Sequence, residues 1–252
     1  MTLFKQMRAE WIKVFSTRTW IGIVLASFVF TGMTVFGYAQ IAGTLGIPTL
    51  DNVELMNLLY GGSATGVALA LILGVVGATA EYRYGTVDHT YLISPKRSRV
   101  LISKLFIHGV IGALVGLMSF GIAYIATTLA VSGKTHAQVS TTSLLEIGGA
   151  TIAAFSIYAM LGVAFGSLVR NQLVGVAATF GWIFIFERLL VVFTPDLGKW
   201  LPGGAVNGLF GVTAIMNGQE YLPRNESAGL LLMYATLLIG ACLIVTPKRD
   251  IT

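Results

Sequence analysis

The chain has 252 residues, of which 55% are hydrophobic and 11% are charged, and its mean hydropathy is +0.80. Soluble domains carry about 25% charged residues, so this composition excludes a soluble domain and predicts an integral membrane protein. The net charge of +5 is explained by cationic loops on the cytoplasmic side of a membrane and does not require nucleic acid as a partner. The single cysteine, Cys242, excludes an intrachain disulfide and a thiolate metal cluster.

Residues 1–18 are predicted to form an amphipathic elbow helix that lies in the inner membrane interface. Apolar residues recur at spacings of three and four and share one helical face: Leu3, Met7, Trp11, Val14 and Phe15. The cations lie off that stripe: Lys5, Arg8, Lys13 and Arg18. A cleaved signal peptide is the alternative, and it is disfavoured because the apolar run that follows is too long and has no small-residue cleavage site.

Six segments are long and apolar enough to cross a membrane as helices, which need about 20 residues each. They are Thr19–Ala42, Tyr60–Ala80, Val100–Val131, Leu144–Leu168, Leu173–Thr194 and Ala228–Thr246. The sequence therefore predicts an all-α integral membrane protein with one transmembrane domain over residues 1–252. With the N-terminus inside, twelve of the 16 Lys and Arg residues fall on the inner side. The positive-inside rule then places both termini in the cytoplasm and the chain in the cell (inner or plasma) membrane.

Residues 195–227, between the fifth and sixth spans, are too many for a simple turn. Proline and glycine interrupt this segment, at Pro202, Gly203, Gly204 and Gly208, although it keeps substantial apolar content. We expect outer re-entrant helices here, with their backbone shielded by protein.

Residues 81–99 form the largest charged stretch between two spans. Gly85 permits a sharp turn, Thr86 is expected to cap a short helix, and Val87 and Tyr91 then share one face of it. Ser94 and Pro95 predict the start of the next helix, with proline at its first position. One interpretation of the cations is that they meet anionic lipid headgroups; these are Lys96, Arg97, Arg99 and Lys104.

The same stretch resembles the pattern of ABC-2 type (type-2) ABC transporter permeases. In that family an acidic residue precedes a Gly-Thr pair, and Leu, Pro, Arg and Lys follow at similar spacing between the second and third spans. The matching residues here are Glu81, Gly85, Thr86, Leu92, Pro95, Arg97 or Arg99, and Lys104. The elbow helix, the six spans and the outer re-entrant segment extend the resemblance over the chain.

The resemblance implies that residues 81–99 are a cytoplasmic coupling helix that docks on a separate ATPase subunit. The docking element would comprise Gly85, Thr86, Val87, Asp88, Tyr91 and Leu92, with Pro95, Arg97 and Arg99 continuing the motif. Glu81 and Arg83 would anchor it to the elbow helix and the membrane surface. The implied partners are two copies of a cytosolic ABC ATPase, which carry ATP and Mg, a second permease chain of identical or different sequence, and membrane lipid.

The chain itself is predicted to be neither an enzyme nor a cofactor-binding protein. A phosphate-binding loop requires G-x-x-x-x-G-K-[ST], and the nearest match, Gly133-Lys134-Thr135, has Thr128 at the first glycine position. The three histidines are scattered and show no metal-ligand spacing: His89, His108 and His136. The sequence therefore predicts no catalytic residue and no metal site.

Glu187 and Arg188 lie inside the fifth predicted span, where charged residues are costly and mark functional sites by default. They are adjacent, so they point about 100° apart on a helix and do not pair with each other. Either they face the translocation path or a gate between subunits, or they lie near the outer end and pair with another helix. The sequence leaves both open.

Three G-x-x-x-G pairs occur within the spans, and they predict close helix packing inside the bundle rather than a dimer seam. They are Gly62/Gly66, Gly112/Gly116 and Gly162/Gly166.

The predicted function is that of a permease subunit that exports an amphipathic or lipophilic cargo, such as a drug, a peptide or a lipid-like molecule, by alternating access. One alternative is a secondary transporter driven by an ion gradient, which would require more ionisable groups near the midplane. The other is a non-transporting immunity or scaffold protein that uses the charged loop only to bind a partner.

Overall fold

A computed structural model describes residues 2–62, 64–94, 96–213 and 220–248, and this part of the chain is all-helical. The helices are α1 (Leu3–Ser16), α2 (Thr19–Ile41), α3 (Val53–Gly61), α4 (Ala64–Arg83), α5 (Val87–Ile93), α6 (Arg97–Ala130), α7 (Thr141–Val169), α8 (Gln172–Gly181), α9 (Glu187–Phe193), α10 (Pro195–Gly198), α11 (Pro202–Leu209) and α12 (Arg224–Val245). A π-helical turn, Trp182–Phe186, joins α8 to α9, and a 3-10 turn, Thr246–Lys248, follows α12.

Six of the described helical stretches are long and apolar enough to cross a membrane, as the sequence predicts. They are Thr19–Ile41, Val53–Arg83, Arg97–Ala130, Thr141–Val169, Gln172–Phe193 and Arg224–Lys248. The chain is therefore a multi-pass membrane protein. The second stretch begins seven residues before the predicted Tyr60, because the Asn52 side chain caps α3 by accepting a hydrogen bond from the Leu55 amide.

Successive spans run in alternating directions, so the bundle has two ends. One end, which we call the α5 end, holds α1, α5, the C-terminus of α4 and the N-termini of α6 and α8. Hydrogen bonds across it join Arg83 to Gln172 and Arg97 to the Pro247 carbonyl. At the other end an ion pair joins Glu146 to Arg224.

Helices α4, α6 and α7 form the centre of the bundle and approach through glycines. A Cβ on Gly162 of α7 would lie 2.0 Å from the carbonyl oxygen of Leu71 in α4. A Cβ on Gly112 of α6 would lie 2.6 Å from the Phe155 carbonyl oxygen of α7. Both distances are far below contact, so only glycine fits. The prediction that these glycine pairs serve packing inside the bundle is confirmed for Gly112 and Gly162.

Helix α1 packs on the bundle through its polar face. Its two buried side chains are Gln6 and Glu10, whereas Leu3, Trp11 and Phe15 of the apolar stripe remain exposed. Met7 and Val14 of the same stripe are half-buried against the core, so only the outer part of the stripe is left to meet lipid at a membrane surface.

The chain around Ser94 differs from the prediction. Ser94 does not begin the next helix: it ends α5, and α6 begins at Arg97 with Lys96 at its N-cap. The Ser94 hydroxyl instead donates a hydrogen bond to Gln6 Oε1 of α1 at 2.9 Å, so it is not used as a helix cap. Pro95, expected at the first helical position, lies outside the described residues. Thr86 occupies the N-cap position of α5, but its side chain makes no capping hydrogen bond.

The segment between the fifth and sixth spans contains two short helices, α10 and α11. Pro195 and Pro202 each begin one of them, as expected for proline at a first helical position. Helix α11 is largely buried against the bundle through Ala205, Val206 and Leu209. Its depth relative to a membrane stays a prediction.

Candidate functional site

Four charged side chains from three helices meet at the α5 end, and we call them the ion cluster: Glu10 and Lys13 of α1, Glu81 of α4 and Lys104 of α6. Lys104 Nζ lies 2.7 Å from Glu10 Oε2 and 3.4 Å from Glu81 Oε1. Lys13 Nζ lies 2.7 Å from Glu10 Oε1 and 2.5 Å from Glu81 Oε1. Each ammonium thus bridges both carboxylates, and the cluster has no formal net charge.

Burial makes this pairing necessary. Glu10 is 1% exposed, Lys104 4% and Glu81 7%, and an unpaired charge at such a site costs several kcal/mol, on the order of 3–5. Burial alone would raise the pKa of Glu10, but the charges and hydrogen bonds of Lys104 and Lys13 outweigh it and lower the pKa to about 2. The Glu10 carboxylate is therefore held in its charged form by its partners.

The cluster also holds α5 in place. The Thr90 hydroxyl of α5 donates a hydrogen bond to Glu81 Oε1 at 3.4 Å, and Lys13 Nζ donates to the same hydroxyl oxygen at 3.4 Å. Ser94, at the C-terminal end of α5, donates a hydrogen bond to Gln6 of α1. Gly85, with a φ of +65°, makes the turn from α4 into α5, a conformation that favours glycine. Helix α5 is therefore attached to α1 and α4 at its middle and to α1 at its C-terminal end.

Helix α5 presents two different faces, which divide the predicted docking residues. Val87 is buried and Tyr91 is half-buried beneath the Arg97 guanidinium, 5.2 Å from its ring centroid, so these two share the inward face as predicted. Burial raises the pKa of Tyr91, and the neighbouring Tyr82 adds to the shift. The outward side is made by Gly85, Thr86, Asp88 and Leu92. Leu92 is 81% exposed.

A cavity of about 510 Å³ lies beside the ion cluster, between α1, α4 and α5. Glu10, Lys13, Glu81 and Thr90 line it together with Trp20 of α2. The cavity lies against the same side chains that hold α5.

Two of the predicted anchors have other contacts. Arg83 donates to Gln172 Oε1 of α8 at 3.2 Å and does not belong to the cluster, so of the predicted pair only Glu81 bonds α1. Arg97 donates to the Pro247 carbonyl at 3.3 Å, and Arg99 is half-buried. The interpretation of Lys104 as a headgroup anchor is wrong, because its ammonium is buried against Glu10 and Glu81.

Glu187 binds the N-terminus of α11. Its Oε1 accepts a hydrogen bond from the Gly203 amide at 2.6 Å, and the residue is 8% exposed. A small cavity of about 60 Å³ beside it is also lined by Arg188, Tyr158 and Tyr221. The sequence left open whether Glu187 faces a translocation path or pairs with another helix, and the contact with Gly203 agrees with pairing to another helix. A role of Glu187 or Arg188 in a translocation path stays a prediction.

Sequence reasoning missed Glu10 and Gln6 and listed Lys13 only as a cation off the apolar stripe. A signal was present: Glu10 is the one acidic residue among residues 1–18, and Gln6, Glu10 and Lys13 recur at spacings of four and three. That spacing places them on one face, directly beside the apolar stripe. Within the described residues, no group of three or more His, Cys, Asp or Glu side chains is arranged to hold a metal ion.

Compared with known proteins, the chain matches no family model and no curated protein sequence.

Proposed function

We propose that the chain is the membrane-spanning permease subunit of an ATP-driven transporter of the ABC-2 type. The observation that carries the proposal is helix α5, which lies outside the spans, presents Leu92 and Asp88 outward and is fixed to the bundle by the ion cluster. An exposed apolar side chain beside an acidic one, on a helix that is held at its middle and its C-terminal end, suits a protein-docking surface. ATP and Mg would bind the partner subunit.

The ion cluster supplies a path for motion from α5 to the spans. A displacement of α5 acts through Thr90 on Glu81 of α4, and through Ser94 on α1. Lys104 then connects both acids to α6, which has 34 residues and a length of about 51 Å at 1.5 Å per residue. A rigid helix of that length transmits tilt from one membrane face to the other.

Two copies of this chain, or this chain and a different permease, would form the transport path between them, with one ATPase docked on each. The fifth span favours the presence of a second chain, because little of its surface is buried by the other described helices and a second chain could cover it. Alternating access needs only that the cargo binds the inward-open and outward-open states differently. The largely apolar spans favour an amphipathic or lipophilic cargo, and export is the proposed direction.

The test is co-purification of the chain in nanodiscs with its ATPase, followed by ATP hydrolysis. Leu92→Asp should weaken association by roughly 30-fold or more, because loss of a hot-spot contact costs about 2 kcal/mol or more. The matched control is Leu45→Asp, since Leu45 is 79% exposed but lies at the opposite end of the bundle. A folded protein that captures no nucleotide-binding partner, or a Leu92→Asp variant that binds as tightly as the control, would refute the proposal.

A secondary transporter driven by an ion gradient would respond differently to these substitutions. Glu187→Gln should then stop transport while substitutions on α5 have no effect. A scaffold or immunity protein would bind its partner through α5 without moving any cargo.

A further inference from the structure

A second cavity opens at the α5 end. Its volume is about 710 Å³, and it lies between α2, α4 and α8. We call it the arginine groove. Its polar lining is Tyr82, Arg83, Arg170, Asn171 and Gln172, and its apolar lining is Ile23, Ile72, Val76, Leu173 and Val176, with Thr19 at the start of α2.

The polar part of the groove is cationic. Arg83 and Arg170 both line it, and none of its described lining residues is acidic. The Arg83 guanidinium has five N–H donors, and its bond to Gln172 Oε1 at 3.2 Å leaves others for a ligand. The N-terminus of α8 lies at the same place, so its helix dipole adds positive potential.

Arg170 is held in a conformation that a non-glycine residue rarely adopts. It is the C-cap of α7 with a φ of +60°, a position where glycine is the usual residue. Its guanidinium lies 5.8 Å from the centroid of the Tyr82 ring and donates to the Thr246 carbonyl at 3.2 Å. These contacts hold the Arg170 guanidinium at the polar part of the groove.

The apolar part of the groove extends into the bundle. Val76 and Ile72 precede Arg83 on α4 by seven and eleven residues, which places them about 10 and 16 Å deeper at 1.5 Å per residue. One leaflet of the hydrocarbon core is about 15 Å thick. The groove therefore has a cationic mouth at the membrane interface and an apolar wall about one leaflet deep.

We propose that the arginine groove binds an anionic phospholipid, with the phosphate at Arg83 and Arg170. One acyl chain lies against Ile23, Val76 and Val176. The charge of the mouth selects an anionic headgroup over a zwitterionic one. The proposal requires only that the chain is embedded in a membrane, so it stands or falls independently of any ATPase partner.

The experiment compares lipids added to the purified chain in detergent. Phosphatidylglycerol should raise the melting temperature more than phosphatidylcholine at the same concentration, because a ligand that binds the folded state stabilises it. The double variant Arg83→Gln/Arg170→Gln should lose this difference. The charge-matched control Lys5→Gln/Arg8→Gln removes two exposed cations from α1 and should retain the difference in melting temperature between the two lipids.

Two further variants keep the test decisive if the double variant fails to fold. Arg83→Gln alone should weaken phosphatidylglycerol binding by about tenfold, because it removes one charge-assisted hydrogen bond. Native mass spectrometry measures this binding by counting the bound lipids. Val176→Trp fills the groove but keeps both arginines, and it should also weaken phosphatidylglycerol binding. Equal stabilisation by phosphatidylcholine, or unchanged binding in both single variants, would overturn the proposal. Competition by inorganic phosphate at millimolar concentration, with Val176→Trp unaffected, would identify a free-anion site instead and would equally overturn it.

Discussion

Replacing Lys104 with methionine should destabilise the chain more than the same change at Lys13. Lys104→Met keeps the length of the side chain but leaves the two buried acids, Glu10 and Glu81, with Lys13 alone. Breaking a buried ion pair from one side costs about 3–5 kcal/mol. The side chain of Lys13 is 41% exposed, so water can replace much of what it contributes, and Lys13→Met should cost about 1 kcal/mol or less.

The assay is thermal unfolding in detergent. For a chain of this size each kcal/mol moves the melting temperature by about 2–4 °C, so Lys104→Met should lower it by about 6–20 °C. The double variant Glu10→Gln/Lys104→Met removes one charge of each sign and should recover part of that loss, since residues in contact have coupling energies of about 0.5–3 kcal/mol. A Lys104→Met protein that melts within 2 °C of the wild type, or a larger loss for Lys13→Met, would refute the reasoning.

Three further predictions concern pH, packing and the α11 contact. Folding lowers the pKa of Glu10 from 4.5 to about 2, so the Glu10 carboxylate contributes fully to the free energy of unfolding above pH 4.5 and less below it. About 2 kcal/mol of this contribution is lost by pH 3. Between pH 4.5 and 3 the melting temperature of Glu10→Gln should therefore fall less than that of the wild type. Gly162→Ala should cost about 1–3 kcal/mol or more because its Cβ meets the Leu71 carbonyl, whereas Gly149→Ala in the same helix, with open space around its Cβ, should be neutral or stabilising by the same melting assay. Glu187→Gln should melt near the wild type because an amide oxygen still accepts from the Gly203 amide, whereas Glu187→Ala should lose about 1–3 kcal/mol; equal losses would contradict this.

The spans could be predicted from the sequence because hydropathy is a local property of consecutive residues. The early start of the second span could not, because α3 carries Glu54 and Asn57 among its apolar residues and lowers the local hydropathy. Helix α5 was also predictable, because the turn at Gly85 and the spacing of Val87 and Tyr91 are local features. The partner of Ser94 was not, since Gln6 lies 88 residues earlier in the chain.

The ion cluster shows where local reasoning fails. Lys104 follows a run of cations at the start of a span, a position typical of a headgroup anchor. Its acidic partner Glu10 is 94 residues away, and no local pattern joins them. The Glu187 contact is similar: the charge inside the span was evident, but its partner is a backbone amide, which every residue except proline carries.

Helix α1 is attached to the bundle by charged side chains, and the reason is that the solvent around the bundle is lipid. An apolar face gains little by contacting another helix in place of lipid, because lipid tails are as apolar as leucine. A polar face on α1 gains much more, since Glu10 reaches the buried ammonium of Lys104 only where α1 packs on α6. The apolar stripe can therefore hold α1 in the membrane surface while the polar stripe selects its place on the bundle. Because α5 is bonded to that same polar stripe at Gln6 and Lys13, polar contacts with α1 act together with the inward packing of Val87 to position the outward Leu92.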